Sequence, residues 1–380
     1  MGKRQVTNLP GLSTNDSAPD LVQVGDLFFT SGIRGVDLKT GRMGEDPGQQ
    51  FLLAWQNLKS LVEAAGLSTD NIGLVTNFIG SQDYRAVINP GWLELFPDAN
   101  DRPARKTTSY PMPADRGLEL QAFGVAGQKR QSIEVKGLTH RDPLPNGARM
   151  GDYVFSSVIV PWDLSTSEPV EGEKAQTDKC FENMELFIKQ AGGEAADLAL
   201  QWIYLNDFEY QPYMVDVYLK SWPAGQQQAA RKTFKYPMAA QVQIQVLGKV
   251  GTGDRGNYEI PGVEHHDPIP MGARVGDLFC TSGIHGVDPT SADPLGVVDG
   301  VGPQAMWGLR HVKAMAEAGG GSADDIGHIA ILVQDYNDLP AIDAEWIKAF
   351  PDPNNRPARQ IMNLGIANDV LVQFHMIASV

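Results

Sequence analysis

The sequence predicts an α+β protein built from three tandem domains, each with the element order ββαβαββ. Two landmarks and one periodicity predict it. The segment Gly25-Asp26-Leu27-Phe28-Phe29-Thr30-Ser31-Gly32-Ile33 returns as Gly151-Asp152-Tyr153-Val154-Phe155-Ser156-Ser157-Val158-Ile159 and as Gly276-Asp277-Leu278-Phe279-Cys280-Thr281-Ser282-Gly283-Ile284, at steps of 126 and 125 residues. Arg102-Pro103-Ala104-Arg105-Lys106-Thr107 returns as Ala230-Arg231-Lys232-Thr233 and as Arg356-Pro357-Ala358-Arg359, the arginines being 126 and 128 residues apart. Between the landmarks, each copy carries one long stretch of helical periodicity flanked by short apolar runs. Unrelated landmarks that hold one spacing through three copies imply triplication of a whole domain. The 380 residues divide into units of about 127, with boundaries read at 1–130, 131–255 and 256–380. That period far exceeds the roughly 20–50 residues of a solenoid repeat, so each unit should carry its own core.

Within the first unit, the apolar run Leu27 to Thr30 and the turn-rich stretch Asp37 to Gly48 read as a hairpin. The segment Gln49 to Ala65 places Phe51, Leu52, Trp55, Leu58, Leu61 and Val62 at i, i+3, i+4 spacing, with Gly66 as its stop; this predicts a helix. Its counterparts are Thr177 to Ala191 and Gln304 to Ala318. A strand at Leu74 to Ile79, a helix near Trp92 to Phe96, and strands at Lys106 to Tyr110 and Leu118 to Ala126 complete the unit. The stretches Lys129 to Asp142 and Gly253 to Asp267 read as polar linkers closed by fixed Asp-Pro turns.

The composition is that of a soluble globular chain, 42% apolar and 20% charged. With 46 acidic against 31 basic residues, a net charge of −15 and no Lys/Arg run, sequence-independent binding to a phosphate backbone is disfavoured, and with it a ribonuclease reading. No stretch approaches the 18 or more apolar residues of a membrane span, and Met1 to Pro10 lacks an apolar segment behind its basic residues, so a cytoplasmic location is expected. Cys180 and Cys280 fall at different places in the repeat and read as free, buried thiols. No phosphate-cradling glycine loop, Cys/His zinc cluster or nucleophile elbow appears, so no cofactor is expected.

The Thr-Ser-Gly-Ile strand end, Glu63-Ala64-Ala65-Gly66-Leu67, Pro-Ala-Arg and the closing strand Leu118 to Ala122 together resemble the Rid/YjgF family of imine and enamine deaminases. The resemblance recurs three times along the chain. It implies a chorismate-mutase-like α+β fold in each unit and, because such proteins assemble as homotrimers, an intramolecular pseudo-trimer with clefts between adjacent copies, monomeric or paired further.

The resemblance also implies roles for single residues. The arginine that grips the substrate carboxylate maps onto Arg105, Arg231 and Arg359; a planar guanidinium suits that task because it offers a bidentate fork. The water-activating glutamate maps onto Glu119, while the other copies hold Gln243 and Gln373, amides that position water without taking its proton. Arg105 and Glu119 are therefore expected to carry catalysis. Alternation puts Gln121, Gln245 and His375 on the same strand faces. Backbone donors for a developing charge map onto Ser31-Gly32 and Ser282-Gly283, with Ser157-Val158 breaking the pattern in the second copy. Thr107, Thr233 and Ile361 stand where the family often has cysteine, tuning the pocket wall. His140 and His265, each two residues before an aspartate (Asp142, Asp267), are candidates for turn hydrogen bonding or pocket chemistry; the first copy has Thr14 and Asp16. His285 is specific to the third copy.

The function this predicts is hydrolysis of a small carboxylate-bearing imine or enamine to ammonia and a 2-oxo acid, without metal, nucleic-acid or membrane partner. The alternatives are a dedicated C–N hydrolase for one cyclic or aromatic-derived substrate, and a carboxylate-metabolite-binding protein without turnover.

Overall fold

In the computed structural model, which describes residues 4–12, 17–113, 116–222, 226–366 and 369–380, three mixed sheets follow one another along the chain with the same strand order. The first sheet runs Gln5–Thr7, Leu21–Val24, Leu27–Thr30, Leu118–Val125, Ile72–Ile79, Ala104–Ser109 across its width, and only the last pair is parallel. The second sheet is drawn from residues between Arg130 and Lys249, the third from residues between Arg255 and Ser379. Arg130 opens a strand of the second sheet and Arg255 one of the third, each one residue before the boundary read from the sequence.

The long helices are Pro47–Ala64, Glu173–Gln190 and Val301–Ala318, each starting two to four residues before the periodic stretch. Apolar periodicity marks where a helix touches the core, not where its caps begin. In the first, Asp46 caps by accepting from the Gln49 N–H at 2.9 Å, and Pro47 fills the first turn, where no N–H partner is needed. The shorter helices Asn89–Leu95, Gln211–Lys220 and Leu339–Ala349 complete one helical layer per sheet.

The expected hairpin is displaced. Leu27–Thr30 pairs with the preceding strand Leu21–Val24 through a tight turn at Gly25-Asp26, with Gly25 at φ +56°; Gly151 and Gly276 repeat it at +59° and +60°. The stretch from Asp37 to Asp46 is instead a loop, held by the Val36–Met43 bridge and by the Asp37 and Gly44 N–H groups donating to the Arg42 and Gly35 carbonyls, each at 2.9 Å, and Pro47 and Gly48 already belong to the helix. The supposed linkers likewise begin with short edge strands, Arg130–Ile133 and Arg255–Tyr258.

Each sheet buries one face beneath its own helices, in cores centred on Trp55 and Trp92, on Phe187 and Tyr218, and on Met315 and Trp346. The opposite faces of all three sheets meet in one shared cluster that includes Phe29, Phe78 and Phe123, Phe155, Trp202 and Tyr204, and Leu278, Leu332 and Ile377. The approach between sheets is close. A Cβ on Gly73 would lie 2.6 Å from Phe155, and one on Gly327 2.4 Å from Phe29. Both cysteines are free and buried. Among the described residues no helix is long and apolar enough to cross a membrane.

Candidate active site clefts

One hydrogen bond recurs at all three seams. The Arg105 N–H donates to Ser157 Oγ at 2.9 Å, Arg231 N–H to Ser282 Oγ at 2.9 Å, and Arg359 N–H to Ser31 Oγ at 3.0 Å. Each arginine strand thus abuts the Thr/Ser-Ser strand end of the next unit, and the third unit returns to the first.

The three guanidinium groups are built alike. Each is buried and lies over an aromatic ring of its own short helix: Arg105 over Trp92 at 4.6 Å, Arg231 over Tyr218 at 4.9 Å, Arg359 over Trp346 at 5.1 Å. Each also faces a carboxylate: Asp142 at 3.5 Å from Arg105, Asp267 hydrogen-bonded to Arg231, and Asp343 at 2.6 Å from Arg359. The aspartates of the two His-x-Asp stretches therefore serve arginine. Thr14 and Asp16, the first-copy counterparts, lie outside the described residues.

Glu119 lies at the seam of the third and first units, 4% exposed. Its Oε2 accepts from Gln360 Nε2 at 2.7 Å, and its Oε1 is 3.7 Å from the Arg116 guanidinium. Ser31, Gly32, Arg34, Arg116, Glu119, Arg359, Gln360 and Ile361 line one cleft there with a void of ≈10 Å³, about the size of one water. A Cβ on Gly32 would fall 2.7 Å from Glu119 Oε2, so glycine is needed for the carboxylate to sit where it does.

The expected pairing of Arg105 with Glu119 is thereby corrected. The cyclic order brings Arg359, not Arg105, to the glutamate, because each arginine meets the following unit rather than the closing strand of its own sheet.

Arg105 belongs to the seam of the first and second units. It lines a cavity of ≈610 Å³ with Lys106, Thr107, His140, Val158 and Gln243, among others. Its Nη2 donates to Asn89 Oδ1 at 3.0 Å, whereas Nε and Nη1 find no partner among the described residues although the side chain is only 1% exposed. Burial pushes its guanidinium down to about 10, which still leaves it charged at neutral pH. Burial, then the Arg105 charge, push His140 down to about 4, so its imidazole is neutral there. With Val158 in place of glycine, Gln243 is instead engaged by Lys106 Nζ, which donates to its Oε1 at 2.8 Å.

The seam of the second and third units gathers Arg231, Ser282, Gly283, Gln373, His265 and His285. His265 Nε2 is 2.8 Å from the Gly283 carbonyl oxygen, His285 is hydrogen-bonded to Gln373, and the two imidazoles stand perpendicular with centroids 6.0 Å apart. Burial, then His265, push His285 down to about 3. Thr107 accepts from Asn77 Nδ2 at 3.2 Å, and Ile361 lines the Glu119 cleft. Among the described residues no group of three or more His, Cys, Asp or Glu side chains could hold a metal ion.

The residues following the arginines, Lys106, Lys232 and Gln360, were missed from the sequence although the repeated motif contains them. Strand alternation was the available signal, since it turns them away from their arginines, and it brings Lys106 to Gln243 and Gln360 to Glu119 of the next unit.

Residues 17–121 match the family model described as Endoribonuclease L-PSP. The chain is 34% identical over 106 residues to the 2-iminobutanoate/2-iminopropanoate deaminase of Salmonella typhimurium, covering 27% of this chain and 83% of that protein. It is 32% identical over 106 residues to the protein of the same name from Escherichia coli K12, with the same coverage. The crystal structure of E. coli TdcF with bound serine aligns at 29% identity and a TM-score of 0.30, covering 32% of this chain and 98% of that one.

Proposed function

The chain belongs to the Rid/YjgF (L-PSP) family, and on that premise we propose that it is a hydrolytic deaminase of small carboxylate-bearing imines, working in the cleft shared by Glu119 and Arg359. We further propose that the three units, 1–130, 131–255 and 256–380, arose by triplication and close as an intramolecular pseudo-trimer. The observation that carries the site is the 2.7 Å hydrogen bond from Gln360, the neighbour of Arg359, to the Glu119 carboxylate. It sets the strand that carries the proposed carboxylate-binding Arg359 of the third unit against the proposed proton acceptor of the first.

In the proposed course, the carboxylate of a 2-imino acid sits on Arg359 and a water occupies the small void beside Glu119. Glu119 takes a proton as the water oxygen adds to C2, and the C=N electron pair moves to nitrogen. That proton passes to the nitrogen to give the carbinolamine; Glu119 then takes the hydroxyl proton and returns it to the amine, the O–H electron pair forms C=O as the C–N bond breaks, and ammonia leaves a 2-oxo acid. A positioned general base of this kind typically contributes about 10² to 10⁴ in rate. The partly exposed Arg34 and Arg116 border the cleft, and a substrate enters past them. The small-molecule partner is thus an anion, consistent with a cleft bearing three guanidinium groups.

The test is ammonia release from 2-iminopropionate generated in situ. Wild type should accelerate it, and Glu119→Gln should lose about two orders of magnitude or more; an unimpaired Glu119→Gln enzyme would refute the assignment.

A second reading, a site for a larger carboxylate at the seam of the first and second units, is favoured by the ≈610 Å³ cavity that Arg105 lines. Cavities of this size hold drug-sized ligands. Under this reading the chain either turns over one bulky C–N substrate or retains a carboxylate metabolite, and ring-bearing imines distinguish the two by ammonia release.

A further inference from the structure

The residue after the seam arginine is lysine in the first two units and glutamine in the third, where the closing strand it meets carries glutamate. At the seam of the first and second units, Lys106 Nζ donates to Gln243 Oε1 at 2.8 Å. At the seam of the third and first units the polarity is reversed. Gln360 is the neutral member there, and its Nε2 donates to the Glu119 carboxylate at 2.7 Å.

That bond is held on several sides. Gln360 and Glu119 are 1% and 4% exposed, so it lies out of bulk solvent. The same Nε2 donates to the Ile361 carbonyl at 3.3 Å, so turning the amide over would lose both bonds. Gly32 packs against the pair, since a Cβ there would lie 2.7 Å from Glu119 Oε2 and 2.8 Å from Gln360 Oε1. The charged and titratable groups around Glu119 are Arg34, its cross-strand partner, with Arg116, Arg359, Asp20, Tyr110 and Tyr336. Burial, then Glu119 itself, raise both phenols, so neither titrates near neutrality.

A buried carboxylate is costly unless hydrogen-bonded, and a donor to its charged form keeps it ready to take a proton. An ammonium at the same distance stabilises the anion so far that it becomes a poor base. A neutral amide satisfies the carboxylate and leaves it basic.

We propose that Gln360 is the positioning residue of the Glu119 cleft: its amide holds the carboxylate in place to accept a proton from water, whereas lysine, the residue of the other two units, would pair with Glu119 and silence it. This rests on the Glu119 reading given above.

The test compares full-length wild type, Gln360→Met and Gln360→Lys on 2-iminopropionate generated in situ, with kcat and KM taken from about pH 5 to 9 and uncatalysed hydrolysis subtracted. Substrate ionisation is common to all three, so differences between the profiles belong to the protein. In Gln360→Met, kcat should fall at least about tenfold, the worth of one hydrogen bond to a charged group, while KM changes less than about threefold because Arg359 is untouched. Its acid limb should lie at higher pH than that of wild type, because a carboxylate without its donor keeps its proton longer as pH rises. In Gln360→Lys the plateau should also fall at least about tenfold, but the acid limb should move to lower pH, because the ammonium favours the anion. General damage to the seam cannot move the two limbs in opposite directions. Gln360→Ala, which no neighbour rejects for size, replaces Gln360→Met if that variant fails to fold, and the same shift is expected of it. An undiminished kcat in Gln360→Met, or limbs that stay put or move together, would overturn the proposal. Unimpaired turnover in Glu119→Gln defeats the underlying reading instead, so the two failures are told apart.

Discussion

The Arg359 N–H donates to Ser31 Oγ at 3.0 Å across 328 residues of sequence, and Ser31 Oγ donates in turn to the Pro19 carbonyl at 2.6 Å. This pair closes the chain on itself and sets Arg359 beside Glu119. It is the long-range member of a set whose other two seams join neighbours in sequence.

The seam order predicts which arginine matters for imine hydrolysis. Arg359→Ala should lower kcat/KM by one to two orders of magnitude, about the worth of one or two charge-assisted hydrogen bonds. Arg105→Ala should lower it far less. Equal losses at both positions, measured by ammonia release, would contradict the pairing.

Gly32 is predicted to be intolerant of a side chain for a local reason. In Gly32→Ala the new Cβ would meet Glu119 Oε2 at 2.7 Å and Gln360 Oε1 at 2.8 Å, so the carboxylate must move. Activity should fall at least about tenfold while KM for a substrate held by Arg359 changes less. The matched change Val158→Gly, at the wider seam, should leave imine hydrolysis near the wild-type rate.

The buried lysines predict a rise of stability with pH. Lys106 and Lys232 are each held at about 7 chiefly by burial, against an ordinary 10.5. Between those values the unfolded chain binds more protons, so unfolding becomes harder as pH rises from about 7 toward 10.5, by up to about 1.4 kcal/mol per pH unit for each proton. Denaturant unfolding of Lys106→Met should show a flatter slope across this window; an unchanged slope would exclude Lys106 as a contributor.

The histidines predict the opposite limb. His375 lines a void of ≈50 Å³ with Gln121, Gln245 and His328. Burial holds His375 at about 4 and His328 at about 3, below the ordinary 6.5. The unfolded chain takes up protons first as pH falls below 6.5, so stability is lost between about 6.5 and 4. His375→Gln, which places there the residue found as Gln121 and Gln245, should move the acid unfolding midpoint to lower pH. A midpoint that stays put or rises would contradict this.

Much of the architecture was legible because it is written locally and three times. The Gly-Asp turn, the capped helix and the Pro-Ala-Arg strand each depend on a few adjacent residues, whereas the roles expected of Glu119, Ser31 and Gly32 came only with the family resemblance that such motifs carry. What was illegible depends on which unit follows which. The partner of Glu119 is set by the direction of a cyclic arrangement, and nothing near Arg105 or Arg359 in sequence encodes that direction. The edge strands Gln5–Thr7, Arg130–Ile133 and Arg255–Tyr258 escaped notice because short, polar, partly exposed strands carry little alternation. Lys106 was hidden by its type, since a lysine in a strand reads as solvated until the neighbouring unit covers it.

The most direct measurement is a double-mutant cycle of Glu119→Gln and Arg359→Gln on kcat/KM for imine hydrolysis. Groups that act on one substrate in one cleft should be strongly non-additive, with the double variant little worse than the poorer single one. Losses that simply multiply would mean that the two side chains serve separate sites, and the account of a shared cleft would be wrong.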